Sequence, residues 1–327
     1  MKNKNLILIQ LNEINFDLIE KYIHKYNFPF LKKFLFQKKY LTTSEIKYNL
    51  LEPWIQWVSI YTGLSADEHK IFRLGDINAD KDLNLIFEKI EDNNLTVGCI
   101  SPMNAINKLK KPKYFISDPW INTKNDNTFW SKKIANLLTS IVNNNSSGKI
   151  GFNDVFYLIL CLFKYTRIKN YYKLFYLLFN SYKKKWVRAL LLDFLINEIN
   201  LKYYKKHKPN FSSVFFNAGA HIQHHYLLLS EFIEKSHLAD INSIYNIKSD
   251  PLLDMVRVYN WILQDYINKN YILATGLSQK PMQKLVYYYR LSHHKDFFKK
   301  CQINFENILP RMSRDFLVKF SSIVDAK

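Results

Sequence analysis

Short apolar runs that stop abruptly at polar or turn residues recur along this sequence. Between them, apolar residues fall at helical spacing, and this alternation restricts the fold more than any other feature. Asn5 to Leu11 reads as a first strand, and Phe16 to Tyr26 as a helix with Phe16, Ile19 and Ile23 on one side. A short helix is expected from Phe30 to Phe36 behind Pro29. An aromatic-rich segment follows from Glu52 to Tyr61, ending at Thr62-Gly63, and then a helix from Asp82 to Ile90. Leu95 to Ser101, Val214 to Phe216 and Tyr271 to Ala274 read as further strands, and Leu253 to Ile267 as a helix. Strands alternating with helices predict an α/β fold with a central, mainly parallel sheet and helices on both faces.

Composition agrees. Of 327 residues, 48% are hydrophobic and only 7 are Gly, which suits a packed core rather than a disordered chain. The formal charge of +19 favours anionic partners. No zinc-finger or RNA-recognition signature is present, so nucleic acid is not the expected one. Cys99, Cys161 and Cys301 are odd in number, far apart and set in apolar surroundings, as in a reduced, cytoplasmic protein. The run Leu6 to Leu11 is too short and too polar at its end for a secretory signal, and Val155 to Phe163 is too short to span a bilayer. The expected location is the cytoplasm, with a peripheral place on a membrane as the variant.

One stretch differs from the rest. Residues 151–210 carry 12 Lys and Arg against 3 Asp and Glu, a net +9 interleaved with aromatics at helical spacing. The Asn143 to Gly148 run before it is a linker, and Lys208-Pro209-Asn210 leads back to the sheet. The organisation expected is therefore 1–150 and 211–327 as the two parts of the α/β core, with 151–210 a basic, aromatic helical insertion. That insertion is either a helical cap with solvated lysines or a surface resting on anionic lipid.

In open α/β sheets ligands bind beyond the carboxyl ends of the strands, so the polar residues there are the ones to read. They are Asn12-Glu13-Ile14-Asn15, then Glu52-Pro53-Trp54-Ile55-Gln56-Trp57 running to Thr62-Gly63-Leu64 and His69, then Asn217 to Tyr226, then Thr275 to Gln279. Their order and spacing resemble the alkaline phosphatase superfamily, above all its type I phosphodiesterase and nucleotide pyrophosphatase branch. Trp57 to Leu64 with His69 is the most specific match. The resemblance runs with gaps from about Leu6 to about His294. It implies that superfamily's sheet, a metal-assisted phosphoric-ester chemistry, and metal ligands and a nucleophile at set strand ends.

At those positions the sequence departs. The first metal Asp falls on Asn12, the nucleophile on Pro53, the paired Asp on Ala220 or His221, and the later Asp-His-Gly near Thr275-Gly276-Leu277. Asn, Pro, Ala and Thr cannot supply the charge that two close cations need, so an ordinary two-zinc site is not expected. Ser59 and Thr62 read as helix and turn residues rather than nucleophiles.

What remains is either a degenerate site whose polar groups hold one another or a changed site, with one metal or with none. Glu52, His224 and Asn12 are the candidate catalytic groups. Glu13, His221 and His225 are candidates for one divalent metal, zinc or manganese, because His221 and His225 at i, i+4 share a helix face. Gln56, Gln223, Gln279, Arg311 and Arg314 are candidates for binding the substrate. One reading is a divergent phosphodiesterase- or phosphatase-type hydrolase or transferase acting on an anionic, phosphate-containing substrate, lipid-linked or a polysaccharide precursor. The other is a non-catalytic protein that binds anionic ligands or a membrane surface.

Overall fold

The structure, a computed structural model, describes residues 5–78, 82–144, 151–234, 247–281, 289, 291–310 and 316–326. The chain divides into two compact units, Met1–Pro281 and Met282–Lys327.

In the first unit, β1 (Leu6–Leu11) leads to α1 (Phe16–Lys25), α2 (Pro29–Leu35), α3 (Pro53–Thr62), α4 (Ala66–His69) and α5 (Ile86–Asp92). Then come β2 (Val97–Ile100), β3 (Tyr114–Ile116) and four helices, α6 (Phe129–Asn144), α7 (Phe152–Tyr165), α8 (Tyr171–Lys183) and α9 (Val187–His207). The chain returns as β4 (Phe211–Phe216), α10 (Ala218–Tyr226), α11 (Pro251–Leu263) and β5 (Asn270–Ala274). The five strands form one sheet in the order β3-β2-β4-β1-β5, and every pairing is parallel. Strands from both ends of the unit thus build a single sheet around the basic helices between them.

Side-chain alternation in the strands supplies two cores, one on each face. Ile7, Ile9 and Leu11 of β1, Val214 and Phe216 of β4, and Tyr114 and Ile116 of β3 point into the larger core, with α1, α2, α9, α10 and α11. Leu8, Phe211, Phe215, Val97, Cys99 and Phe115 point the other way, against Trp57, Val58 and Tyr61 of α3 and Phe87 of α5. Gln10 faces this second core and is satisfied there: Tyr61 Oη donates to its Oε1, and its Nε2 donates to Ser213 Oγ.

Several boundaries shift for local reasons. The helix expected from Asp82 begins at Ile86, because Glu88 folds back to accept the Leu85 N–H and starts the first turn there. The helix expected from Leu253 begins at Pro251, because Asp250 caps it, accepting from the Leu252 and Leu253 amides. Gly63 ends α3 at φ 76, a left-handed cap that glycine adopts without steric penalty. β3 and α6 were not anticipated.

In the second unit, α12 (His294–Lys300) precedes an antiparallel pair, β6 (Asn307–Pro310) and β7 (Phe316–Lys319). His294 is buried there against Phe316, with ring centroids 4.9 Å apart.

Candidate functional site

The site stands at the carboxyl edge of the sheet, around the end of β1, between the ends of β4 and β5. Its frame is a set of amide clamps. Asn15 Nδ2 donates to the Gln279 carbonyl (2.6 Å) while Asn15 Oδ1 accepts the Gln279 N–H (2.6 Å), tying the loop after β5 to the loop after β1. Thr275 Oγ1 accepts the Ile14 N–H at 3.0 Å. From α10, Gln223 Oε1 accepts the Asn15 N–H at 3.1 Å, and Gln223 Nε2 donates to the Glu13 carbonyl.

The helix carrying the histidines is held equally firmly. Asp193 of α9 accepts the Asn217 and Ala218 amides at 3.2 and 2.9 Å, and also the Tyr259 hydroxyl at 3.0 Å. Tyr259 Oη in turn accepts the Gly219 N–H at 2.7 Å. A Cβ on Gly219 would lie 2.1 Å from Ile14 Cδ1 and 2.8 Å from Tyr259 Oη, so only glycine lets α10 approach this closely. Burial pushes the Asp193 carboxyl up to about 7.

Within this frame Glu13 is the central group. Its backbone is left-handed at φ 51, unusual for a residue with a Cβ and characteristic of positions where the surroundings fix a side chain's direction. Its carboxylate is buried and takes two donors. His224 Nε2 stands 3.0 Å from Oε2, and Gln279 Nε2 donates to Oε1 at 2.7 Å. His224 Nε2 and Gln279 Nε2 are 3.2 Å apart because both converge on that carboxylate. The Glu13 side chain is 6% exposed and the His224 side chain 51%, so the imidazole links a buried anion to solvent. The hydrogen bond to Glu13, and more weakly the charges of Glu13 and Glu52, raise the His224 pKa above its ordinary value against the effect of desolvation. Its neighbours move oppositely: burial and the nearby imidazoles push His221 down to about 4 and lower His225.

The structure thus brings Glu13, His224 and Gln279 together, with Glu52 close enough to act on His224 electrostatically. Glu52 is the residue before α3 and its carboxylate makes no capping bond to that helix. Gln56 is buried on α3 beside the backbone of Gly276. Asn12 is buried with its amide engaged: Trp57 Nε1 donates to its Oδ1 at 2.9 Å, and its Nδ2 donates to Asn217 Oδ1 at 2.8 Å. Gln223 is buried and spent on the backbone clamps. Asn12 and Gln223 therefore build the floor rather than face the crevice. Arg311 and Arg314 lie outside the described residues.

His221 and His225 share a helix face, with ring centroids 4.7 Å apart, yet it is His224 that meets Glu13. Each Glu13 oxygen takes one hydrogen-bond partner, Oε2 from His224 and Oε1 from Gln279, and neither comes from His221 or His225. Among the described residues no group of three or more His, Cys, Asp or Glu is disposed to hold a metal ion.

A serine–histidine contact joins α3 to α4. Ser59 Oγ is 3.0 Å from His69 Nε2, but His69 Nδ1 accepts the Ile71 N–H at 3.0 Å. The proton of the neutral ring is therefore on Nε2, which donates to Ser59, and burial lowers the His69 pKa and favours that neutral form. This His69 cannot take a proton from Ser59 as a general base. Thr62 Oγ1 donates back to the Val58 carbonyl at 2.8 Å, a helix-end role. Pro53 occupies the first turn of α3, where the resemblance would place a nucleophile.

Comparison with protein-family models, with curated proteins and with solved structures found no match.

Proposed function

We propose that the crevice binds an anionic, phosphate-bearing ligand and that the protein is a divergent phosphodiesterase- or phosphatase-type hydrolase or transferase, with His224 as its acid. The observation that carries this reading is the half-exposed His224 imidazole held by the buried Glu13 carboxylate at a strand-end crevice. With Nε2–H given to Glu13, the protonated ring has Nδ1–H for a phosphate oxygen or for the oxygen of a leaving group. In hydrolysis, water adds to phosphorus, the ester P–O bond breaks, and the leaving oxygen takes the His224 proton. The proton shed by the water then restores the imidazolium. The chain's +19 charge draws anionic ligands toward such a site. A lipid-linked or polysaccharide-precursor phosphate fits the same chemistry.

A second reading is favoured by one observation. Glu13, Gln223 and Gln279 satisfy one another, and Pro53 stands where a nucleophile would be needed, as in a protein that binds such ligands without turning them over.

Turnover of an aryl phosphate and an aryl phosphodiester, with calorimetric binding of the same esters, separates the readings. Turnover that His224→Ala abolishes supports the enzyme. Binding without turnover, weakened by His224→Ala, supports the binding protein. Robust turnover that survives His224→Ala contradicts both.

A further inference from the structure

Away from the crevice, helices α7 and α8 both pack one face inward and leave the other uncovered. On α7 the inner face is Cys161, Leu162 and Tyr165. The outer face is Phe152, Phe156, Ile159 and Phe163, at steps of four, three and four, which places them on one stripe. On α8 the inner face is Leu174 and Leu177, and the outer stripe is Tyr172, Phe175, Phe179 and Tyr182. These outward side chains are substantially exposed, from 47% for Ile159 to 88% for Tyr182. The stripes are joined through Tyr171, whose ring lies 6.2 Å from that of Phe163 and 6.3 Å from that of Phe175. Soluble proteins rarely leave so much contiguous aromatic surface open, and such patches mark interaction sites.

Within residues 151–210 the exposed charge has one sign. All three acids of residues 151–210 are withdrawn from it: Asp193 and Glu198 are buried, and Asp154 is partly buried and bonded to Ser140 Oγ. Cations border the rings, Lys183 exposed and Lys133 half-buried. Lys183 Nζ lies 4.8 Å from the Phe179 ring centre, and Lys133 Nζ lies 4.5 Å from that of Tyr157. Lys164, Lys169, Lys185 and Arg188 are exposed as well.

We infer that the α7–α8 face docks on an anionic lipid bilayer, lying in its interface with the aromatic stripes among the acyl ends and the lysines on the headgroups. Three arguments select this occupant. Aromatic and aliphatic side chains on one helix face, bordered by Lys and Arg, are the composition of interfacial helices. α7 has 14 residues and is therefore about 21 Å long, short of the roughly 30 Å hydrocarbon core, and no described helix is long and apolar enough to cross a membrane. A second copy seated face to face would bring the same exposed lysines against these, which like charge opposes. The inference is independent of the crevice chemistry.

The test is sedimentation of the full chain with vesicles of phosphatidylcholine alone or mixed with phosphatidylglycerol, at low and high salt. The wild type should prefer the anionic vesicles by at least about tenfold and lose that preference in high salt. Phe156→Ser, Phe163→Ser, Phe175→Ser and Phe179→Ser combined should cut binding at least about tenfold, since each removes a ring from the acyl boundary. Their outward placement predicts unchanged circular dichroism. Should that combination misfold, Phe175→Ser and Phe179→Ser singly serve, each expected to weaken binding. Lys133→Glu with Lys183→Glu and Lys185→Glu should remove the preference for anionic lipid. A wild type that stays in the supernatant with anionic vesicles at low salt overturns the inference. So do equal partition onto neutral vesicles, folded serine variants that bind like the wild type, and a wild-type dimer in light scattering that the serine substitutions dissolve.

Discussion

The crevice and the α7–α8 face are opposites. In the crevice the polar groups are buried and paired: Glu13 with His224 and Gln279, Asn12 with Trp57 and Asn217, Asp193 with two amides and Tyr259. On the helical face it is large apolar side chains that stand exposed, bordered by lysines. A buried polar group needs its hydrogen bonds to avoid a desolvation penalty, so the crevice is rigid and intolerant of change. An exposed aromatic contributes almost nothing to the folded state, so its presence calls for a partner outside the chain. The two regions therefore respond to mutation in different observables, one in stability and the other in association.

That contrast can be broken from its strongest point down. Arg167 joins buried Glu198 and half-buried Asp265 through its Nε, Nη1 and Nη2. Removing it leaves buried Glu198 with no ion-pair partner and Asp265 with only the longer 3.8 Å contact to Lys169, so Arg167→Ala should cost about 3–5 kcal/mol in urea unfolding. Asp193→Ala strips the start of α10 of its acceptor and leaves Tyr259 and two amides unpaired. A loss of about 2–4 kcal/mol is expected, with a weakened ligand response because the His224 helix loosens. Phe175→Ser should change stability by less than about 0.5 kcal/mol, as outward substitutions do. A large loss there would mean the ring is packed and the contrast is false.

Acid and base sharpen the same point within one helix. His221 is held neutral by burial at about 4, so its contribution is complete above the ordinary histidine value and is lost as pH falls from about 6.5 toward 4. The Glu13 hydrogen bond raises the His224 pKa, so its contribution is present below about 6.5 and is lost as pH rises through its elevated value. Unfolding followed across pH should show both limbs, and Glu13→Gln should erase only the upper one.

Much of this was legible in the sequence, and the exceptions have physical causes. β1 and α1 emerged from periodicity because each is long enough to repeat its pattern. β3 has only Tyr114, Phe115 and Ile116, too few for alternation to register. In α6 the Lys and Asn residues thin the apolar stripe that would have revealed it. At the site, strand-end logic found Glu13, Glu52, Gln279 and the histidine cluster. It set Glu13 with His221 and His225, whereas His224 is the histidine that meets it. Spacing i, i+4 says that His221 and His225 share a face, but which face meets Glu13 depends on the rotation of α10. That rotation is set by the contact of Gly219 with Ile14 and Tyr259, residues distant in sequence.

The most direct test of the account is a pH titration of the His224 imidazole by NMR, in the wild type and in Glu13→Gln, with and without phenyl phosphate. The account predicts that His224 titrates above the ordinary histidine value, that Glu13→Gln lowers it, and that phenyl phosphate shifts the His224 resonance ahead of those of His221 and His225. A His224 that titrates at or below the ordinary value, is indifferent to Glu13→Gln and does not sense the phosphate ester would contradict it.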